Sequence, residues 1–328
     1  MRFGKSLMSI FVPIYFYQLG YPIEEILLFF TLVAFSYVVL SYLFAQVVSK
    51  VGVNHAMLFS VPFTILYYFG LRYIEHFPEL FFILPVVTSV GSLMMNFGYH
   101  MNYLQHSNDG VRGEEVSLSQ IIFTTASSVA PFIGGLVASI LGFSNLFLVG
   151  AVVLFLGYIP LFLNTADNIK FDFSFADIWG KFKNDHEWGN FISFGGYAID
   201  ATINRTVWPI FVLIILGAVS KTGLIISLST VISIMLYAAI GEITDKYDKS
   251  KLINIGAVMS AIGWVGRIFV RSFTSILLVN AYGSISYKIL YIPWVAKGYD
   301  LADSNYEDTY LFIVTREIAY KASRVIFL

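Results

Sequence analysis

Apolar residues in this chain run on for about twenty positions at a time before a short polar break, without alternating with polar ones. A membrane-crossing helix needs about 20 mostly apolar residues. Such runs fall at 4–20, 25–48, 55–73, 79–105, 115–142, 144–164, 189–217, 222–244, 252–270 and 276–296, and an eleventh begins near Thr309 and runs into Leu328. Barrel strands are about 10 residues long and alternate apolar with polar. Run 144–164 shows no such alternation, so the expected class is an all-α integral membrane protein.

The runs also repeat. An offset of 196 carries Ala45 onto Gly241, Pro13-Ile14-Tyr15 onto Pro209-Ile210-Phe211, Lys50 onto Lys246 and Gln120 onto Arg316. Internal duplication of this length predicts two pseudosymmetric six-helix bundles. By the same offset, a copy of the fifth run would end ten residues beyond Leu328 and a copy of the sixth would follow. The expectation is a twelve-helix layout with about ten and a half helices present. The halves are expected at 1–164 and 189–328, joined by a polar connection at 165–188. There Phe175, Ile178, Trp179 and Phe182 recur at helical spacing after a Ser174-x-x-Asp177 start signal. This reads either as a short interfacial helix with Lys181 and Lys183 toward headgroups, or as a flexible linker.

Composition agrees with the bilayer. The chain is 57% hydrophobic and 12% charged, against about 45–50% and 25% in soluble domains. Lysine and arginine orient it, because positive residues stay on the cytoplasmic side. With the N-terminus inside, Arg2, Lys5, Lys50, Arg112, Lys170, Lys181, Lys183, Lys246, Lys249, Lys251 and Lys297 face the cytoplasm, and only Arg72, Lys221, Arg267 and Arg271 face outward. The cell membrane is the expected location. Cysteine is absent, which removes disulfides and thiolate metal sites. No metal, cofactor or nucleic-acid partner is expected, and a monomer is.

Two motifs sit on the repeat. Gly241-x-x-x-Asp245-Lys246, followed by Asp248, Lys249 and Lys251, lies between runs eight and nine. A glycine at a helix end lets a neighbour approach closely, and an aspartate can meet the positive N-terminus of another helix. The plainer reading makes these lysines topology signals alone. In the first half the same positions are Ala45, Ser49, Lys50 and Gly52. The second motif, Ala126-x-x-x-Ala130-Pro131-x-x-Gly134-Gly135, puts a kink and small residues in run five. It reads either as a functional signature or as an ordinary membrane-helix bend.

Two six-span repeats with these loops resemble the major facilitator superfamily. The first motif looks like the loop signature that the family places after span eight. The second is similar to its antiporter signature, with the leading glycines replaced by alanine. The resemblance implies a secondary transporter working by alternating access, with spans one, four, seven and ten lining a central cavity. Gly241, Asp245, Lys246, Asp248, Lys249, Lys50 and Gly52 then belong to a gate, and Ala130, Pro131, Gly134 and Gly135 to a kink that weakly favours export by exchange.

Charges inside the bilayer carry the mechanism, because each ionised group there costs about 2.5–3.5 kcal/mol on an insertion scale. Asp200 and Arg205 lie in span seven and Lys288 in span ten. Asp200 is the expected proton carrier, switching as the cavity opens and closes; otherwise it is bridged permanently to Lys288 or Arg205. Two cations against one anion favour an anionic or zwitterionic small solute. Tyr15, Asn204, Asn96 and His100 complete the cavity set, with Asn96 and His100 on one helical face. His100 either relays protons or satisfies a polar neighbour. Arg316 and Glu317 in span eleven are expected to serve the gate. Loops without paired acids or clustered histidines argue against an enzyme. An uncoupled facilitator and a transporter-like sensor remain as alternatives.

Overall fold

A computed structural model describes residues 2–106, 112–159, 161, 174–183, 188–300 and 306–327. They form fifteen helices, with no strand among the described residues. The first half contains α1 (Arg2–Met8), α2 (Phe11–Gln18), α3 (Ile23–Val51), α4 (Val53–Tyr73), α5 (Leu80–His106), α6 (Arg112–Ser127), α7 (Ala130–Leu141) and α8 (Phe143–Tyr158). After α9 (Phe175–Lys183), the second half contains α10 (Trp188–Arg205), α11 (Val207–Leu216), α12 (Val219–Lys246), α13 (Lys249–Arg267), α14 (Phe273–Asp300) and α15 (Tyr306–Phe327).

Three expected spans are each divided in two: span one into α1 and α2, span five into α6 and α7, and span seven into α10 and α11. Proline explains all three. Its ring clashes with the carbonyl four residues back and it donates no hydrogen bond. Pro13, Pro131 and Pro209 look back on Ser9, Ser127 and Arg205, which is where the breaks fall. The 196-residue offset superposes the breaks of spans one and seven. It also carries the start of α3, Ile23, onto that of α12, Val219, and Val53 of α4 onto Lys249 of α13.

Among the described residues, four helical stretches are long and apolar enough to cross a bilayer on length and composition alone: Ile23–Val51, Leu80–Tyr103, Ser117–Leu141 and Gly195–Leu216. Phe143–Tyr158 and Val219–Ile232 are shorter apolar helices. Helices such as α14 carry asparagine, serine, tyrosine and lysine through their middles, and the cavity described below accounts for several of these.

The first half is packed around aromatic rings, with Phe16 4.7 Å from Phe29 and 5.9 Å from Phe81 between ring centroids. In the connection, Ser174 and Asp177 cap α9 reciprocally. Ser174 N–H donates to Asp177 Oδ2 at 2.7 Å and Asp177 N–H to Ser174 Oγ at 3.3 Å. The Ser174 backbone donor holds the Asp177 carboxyl below the usual carboxylate range. Ile178 is buried with the first-half core, and the Phe175 ring lies 5.5 Å from that of Tyr42. The remaining expected connection residues, 165–173 and 184–187, lie outside the described residues, as do the side chains of Lys181, Phe182 and Lys183.

Spans five and eight meet backbone to backbone. A side chain at Gly223 would run into the Pro131 carbonyl, and one at Gly134 into the Leu7 carbonyl of α1, where span five also meets span one. One at Gly135 would come within 3.0 Å of the Val219 carbonyl. The Phe132 N–H, left without an intrahelical partner at the start of α7, donates to Ser227 Oγ of α12 at 2.9 Å. Gly223→Ala is expected to destabilise the protein by about 1–3 kcal/mol, the usual cost of overpacking, read as an earlier melting transition in detergent. Gly196→Ala, whose added carbon meets nothing within 4 Å, is expected to melt like the parent.

Candidate functional site

A cavity of about 340 Å³ opens among α10 to α14. Asp200, Asn204, Arg205 and Lys288 line it together. Trp264 Nε1 donates to Asp200 Oδ1 at 2.7 Å, and Asn204 Nδ2 to Asp200 Oδ2 at 3.1 Å. Asn204 Oδ1 in turn accepts from Arg267 Nη2 at 2.6 Å. The cation tied to Asp200 is therefore Arg267, reached through an amide, and not Lys288 or Arg205.

Arg267 lies against two indoles, while its Nη1 is buried without a hydrogen-bond partner. Its guanidinium carbon lies 3.9 Å from the Trp264 ring centroid and 4.3 Å from that of Trp208. Such stacking is worth about 0.5–2 kcal/mol per contact, more as water is excluded. Trp208 is fixed by its own Nε1 donating to Asn280 Oδ1 at 2.9 Å. Lys288 is buried, and its Nζ donates to the Ser284 carbonyl at 3.4 Å. Reading the sequence placed Arg267 among outward loop charges and passed over Trp208, Trp264 and Asn280. The available signal was Trp264-x-x-Arg267, which sets an indole and a cation on one face of an apolar helix.

Three other expected cavity residues sit elsewhere. Tyr15 is buried in the first-half core, its ring 5.2 Å from Phe143 and 5.3 Å from Phe147. Asn96 and His100 join a polar cluster between the halves, around Glu317. Glu317 Oε2 accepts from Tyr37 OH at 3.1 Å and from Asn96 Nδ2 at 3.5 Å, and Oε1 lies 3.7 Å from His100 Nε2 and 3.5 Å from Arg316 Nη2. Glu317 is the buried carboxylate among the described residues. Three of these four partners come from the first half.

Of the residues expected at the gate, Asp245 reaches across the halves. Asp245 Oδ2 accepts the backbone N–H of Glu114 at 2.8 Å, so α12 supplies an anion to the first turn of α6. Tyr310 of α15, the repeat equivalent of Glu114, donates its hydroxyl to the Ala45 carbonyl of α3 at 2.8 Å. Asp248 caps α13 by accepting the Lys251 N–H at 2.9 Å, which holds its carboxyl below the usual range. Gly52 separates α3 from α4 at φ 91°, a conformation that glycine adopts without strain. Lys246 pairs with Glu242 on its own helix, Lys50 is exposed and Lys249 is half-buried. Gly241 lies within α12, and its surroundings lie outside the described residues.

The Major Facilitator Superfamily model matches residues 1–306. The chain therefore belongs to that superfamily and is a multi-pass membrane transporter by class. No curated protein matches the sequence. Among solved structures, it is similar to a bacterial homologue of the iron transporter ferroportin in an outward-facing state, with TM-score 0.67 and 11% identity over 99% of this chain and 87% of that one. It is also similar to the human organic anion transporter MFSD10, with TM-score 0.70 and 10% identity over 98% and 89%. The outward conformation of FucP gives TM-score 0.66 and 12% identity over 98% and 87%.

The Tyr310 hydroxyl contact has a measurable consequence. Losing one such hydrogen bond costs about 0.5–1.5 kcal/mol, so Tyr310→Phe should loosen the contact between α15 and α3. Because the chain has no cysteine, buried Ser49→Cys serves as the single reporter. Maleimide labelling of that cysteine is expected to quicken about two- to tenfold when Tyr310→Phe is added.

Proposed function

We propose that this protein is a secondary transporter that moves a small anionic solute across the cell membrane by alternating access, with proton coupling through Asp200. Residues 1–164 and 189–328 act as the two rocking halves, 165–188 connects them, the N-terminus is cytoplasmic and the working unit is a monomer. One observation carries the solute class: Arg205, Arg267 and Lys288 share a cavity whose described lining contains the single carboxylate of Asp200. Cations in a low-dielectric wall attract an anion far more strongly than they would in water. A zwitterion is favoured less, because both Asp200 oxygens already accept hydrogen bonds and leave little for an ammonium group.

Protonating Asp200 removes the negative charge from the cavity and leaves the cations, so a proton and an anion should favour each other's binding. Exchange, the mode toward which the Pro131-Gly134-Gly135 motif leans, predicts the opposite sign of proton movement. The Asp245 to Glu114 and Tyr310 to Ala45 contacts serve as gates that part when this end opens.

Proteoliposomes carrying a pH dye inside test the proposal. Anionic solutes are expected to change internal pH, cationic ones to leave it unchanged, and Asn in place of Asp200 to reduce the proton signal by at least about tenfold, the scale of losing an acid–base group. Acidification on solute entry means symport, and alkalinisation means exchange. Solute flux without any proton movement would make the protein a facilitator and Asp200 a structural charge.

A further inference from the structure

Serine and threonine hydroxyls inside a helix commonly turn back onto the carbonyl four residues earlier. Thr202, Ser229, Thr230 and Ser286 of the second half all do so, at 2.6, 2.7, 2.8 and 2.9 Å. Ser260 of α13 and Ser284 of α14 do not. Neither hydroxyl has a hydrogen-bond partner among the described residues, and both serines line the cavity, half-buried. Asn280 of α14 adds a third uncommitted group to the same lining. Its Oδ1 accepts from Trp208 Nε1, which can only donate, so the orientation of the amide is fixed. Both Nδ2 protons are then left without an acceptor among the described residues. None of these three polar atoms is shut off from solvent.

The spacing of these groups says what they address. Asn280, Ser284 and Lys288 recur at every fourth residue, so they form a stripe along α14 with about 6 Å between successive members. Ser260 faces the cavity from α13, and Ser229 faces it from α12. The Ser229 proton is already given to the Ile225 carbonyl, so its oxygen can only accept. The wall therefore holds amide donors, two hydroxyls that both give and take, and an acceptor. A hydroxyl group on a solute also gives and takes, and so complements all three. Because the set comes from three helices and is spread over more than one turn of α14, it addresses hydroxyls on several carbons. At about 340 Å³ the cavity is at the lower end of the about 300–1,000 Å³ of ligand pockets, which keeps the solute small.

We infer that the solute is a polyhydroxylated acid, of the chemistry of a six-carbon sugar acid, whose hydroxyl groups are bound by Ser260, Ser284 and Asn280. The inference rests on the anionic reading above and adds the body of the solute to its charge. The cations of the cavity attract the acid group, and the uncommitted hydroxyls and amide bind the remainder. An anion with an apolar body would displace water from these three groups and give them nothing in return. Stranding polar groups in this way is how a site built for hydroxyls rejects an analogue that lacks them.

Three probes separate charge from hydroxyls. Gluconate and hexanoate share six carbons and one carboxylate, and glucitol keeps the hydroxyls without the charge. Each is titrated calorimetrically against the purified protein in detergent. Gluconate is expected to bind saturably, and hexanoate and glucitol each at least about tenfold more weakly. Ser260→Ala and Ser284→Ala remove hydroxyls that hold nothing else among the described residues, so both variants should fold like the parent. Each should weaken gluconate about two- to tenfold and leave the affinity for hexanoate unchanged. Hexanoate binding as tightly as gluconate, or gluconate binding unchanged in both alanine variants, overturns this inference and leaves the anionic reading standing. Glucitol binding as tightly as gluconate overturns the anionic reading and the acid with it. Absence of binding by all three overturns the inference, and the proteoliposome assay above then decides the charge alone.

Discussion

Backbone contact between spans five and eight is the constraint on which the remaining arrangement depends. In lipid there is little hydrophobic drive to bring helices together, so close packing and hydrogen bonds must do it. Pro131 serves both. By clashing with the turn behind it, it divides span five and leaves the Phe132 N–H for Ser227 to accept. Its own carbonyl lies against Gly223, where any side chain would intrude. Once α12 is seated in this way, its far end and its middle are placed. The far end carries Asp245 to the first turn of α6, and the middle presents Ile226, Ser229 and Thr230 to the cavity.

The charges inside the molecule divide according to who satisfies them. Asp200 and Arg267 are partnered wholly within the second half, through Asn204 and two indoles, so rocking one half against the other would leave that network unchanged. Glu317 is partnered mostly by the first half, so the same motion would strip it of Tyr37, Asn96 and His100. Arg205 shares the cavity lining with Tyr287 and has no carboxylate within ion-pair distance among the described residues. A buried charge is costly unless compensated; the first two arrangements answer that cost with a fixed partner and with the opposing half, whereas Arg205 is exposed in the cavity wall and, in our reading, faces the solute.

Much of this was legible in the sequence, and the limits have physical causes. Run length identified the spans, and the offset identified the repeat, because duplication preserves helix starts such as Ile23 and Val219. The three breaks were latent in Pro13, Pro131 and Pro209, since a proline acts on the carbonyl four residues behind it. The charges Asp200, Arg205 and Lys288 stood out as ionisable residues in apolar runs, and they share one cavity. Arg267 did not stand out. It lies at the last turn of α13, where an arginine pointing to headgroups and one folded between indoles have the same local sequence. The Glu317 cluster was equally hidden, because its members come from positions 37, 96, 100, 316 and 317, and only packing across the halves brings them together.

The repeat relates two of the contacts between the halves, and the two differ in chemistry. Glu114 and Tyr310 are equivalent positions on spans five and eleven, and each reaches the end of a span in the other half. At Glu114 the backbone donates and an aspartate accepts, so the contact draws on charge and on the dipole of α6. At Tyr310 a phenol donates to a backbone carbonyl, and no charge is involved. The first contact is exposed and open to screening by salt, whereas Tyr310 is buried and its contact is not. Two-fold geometry therefore survives in the backbone while its chemistry has diverged. One contact is open to screening by ions, and the other holds by packing and a neutral hydrogen bond.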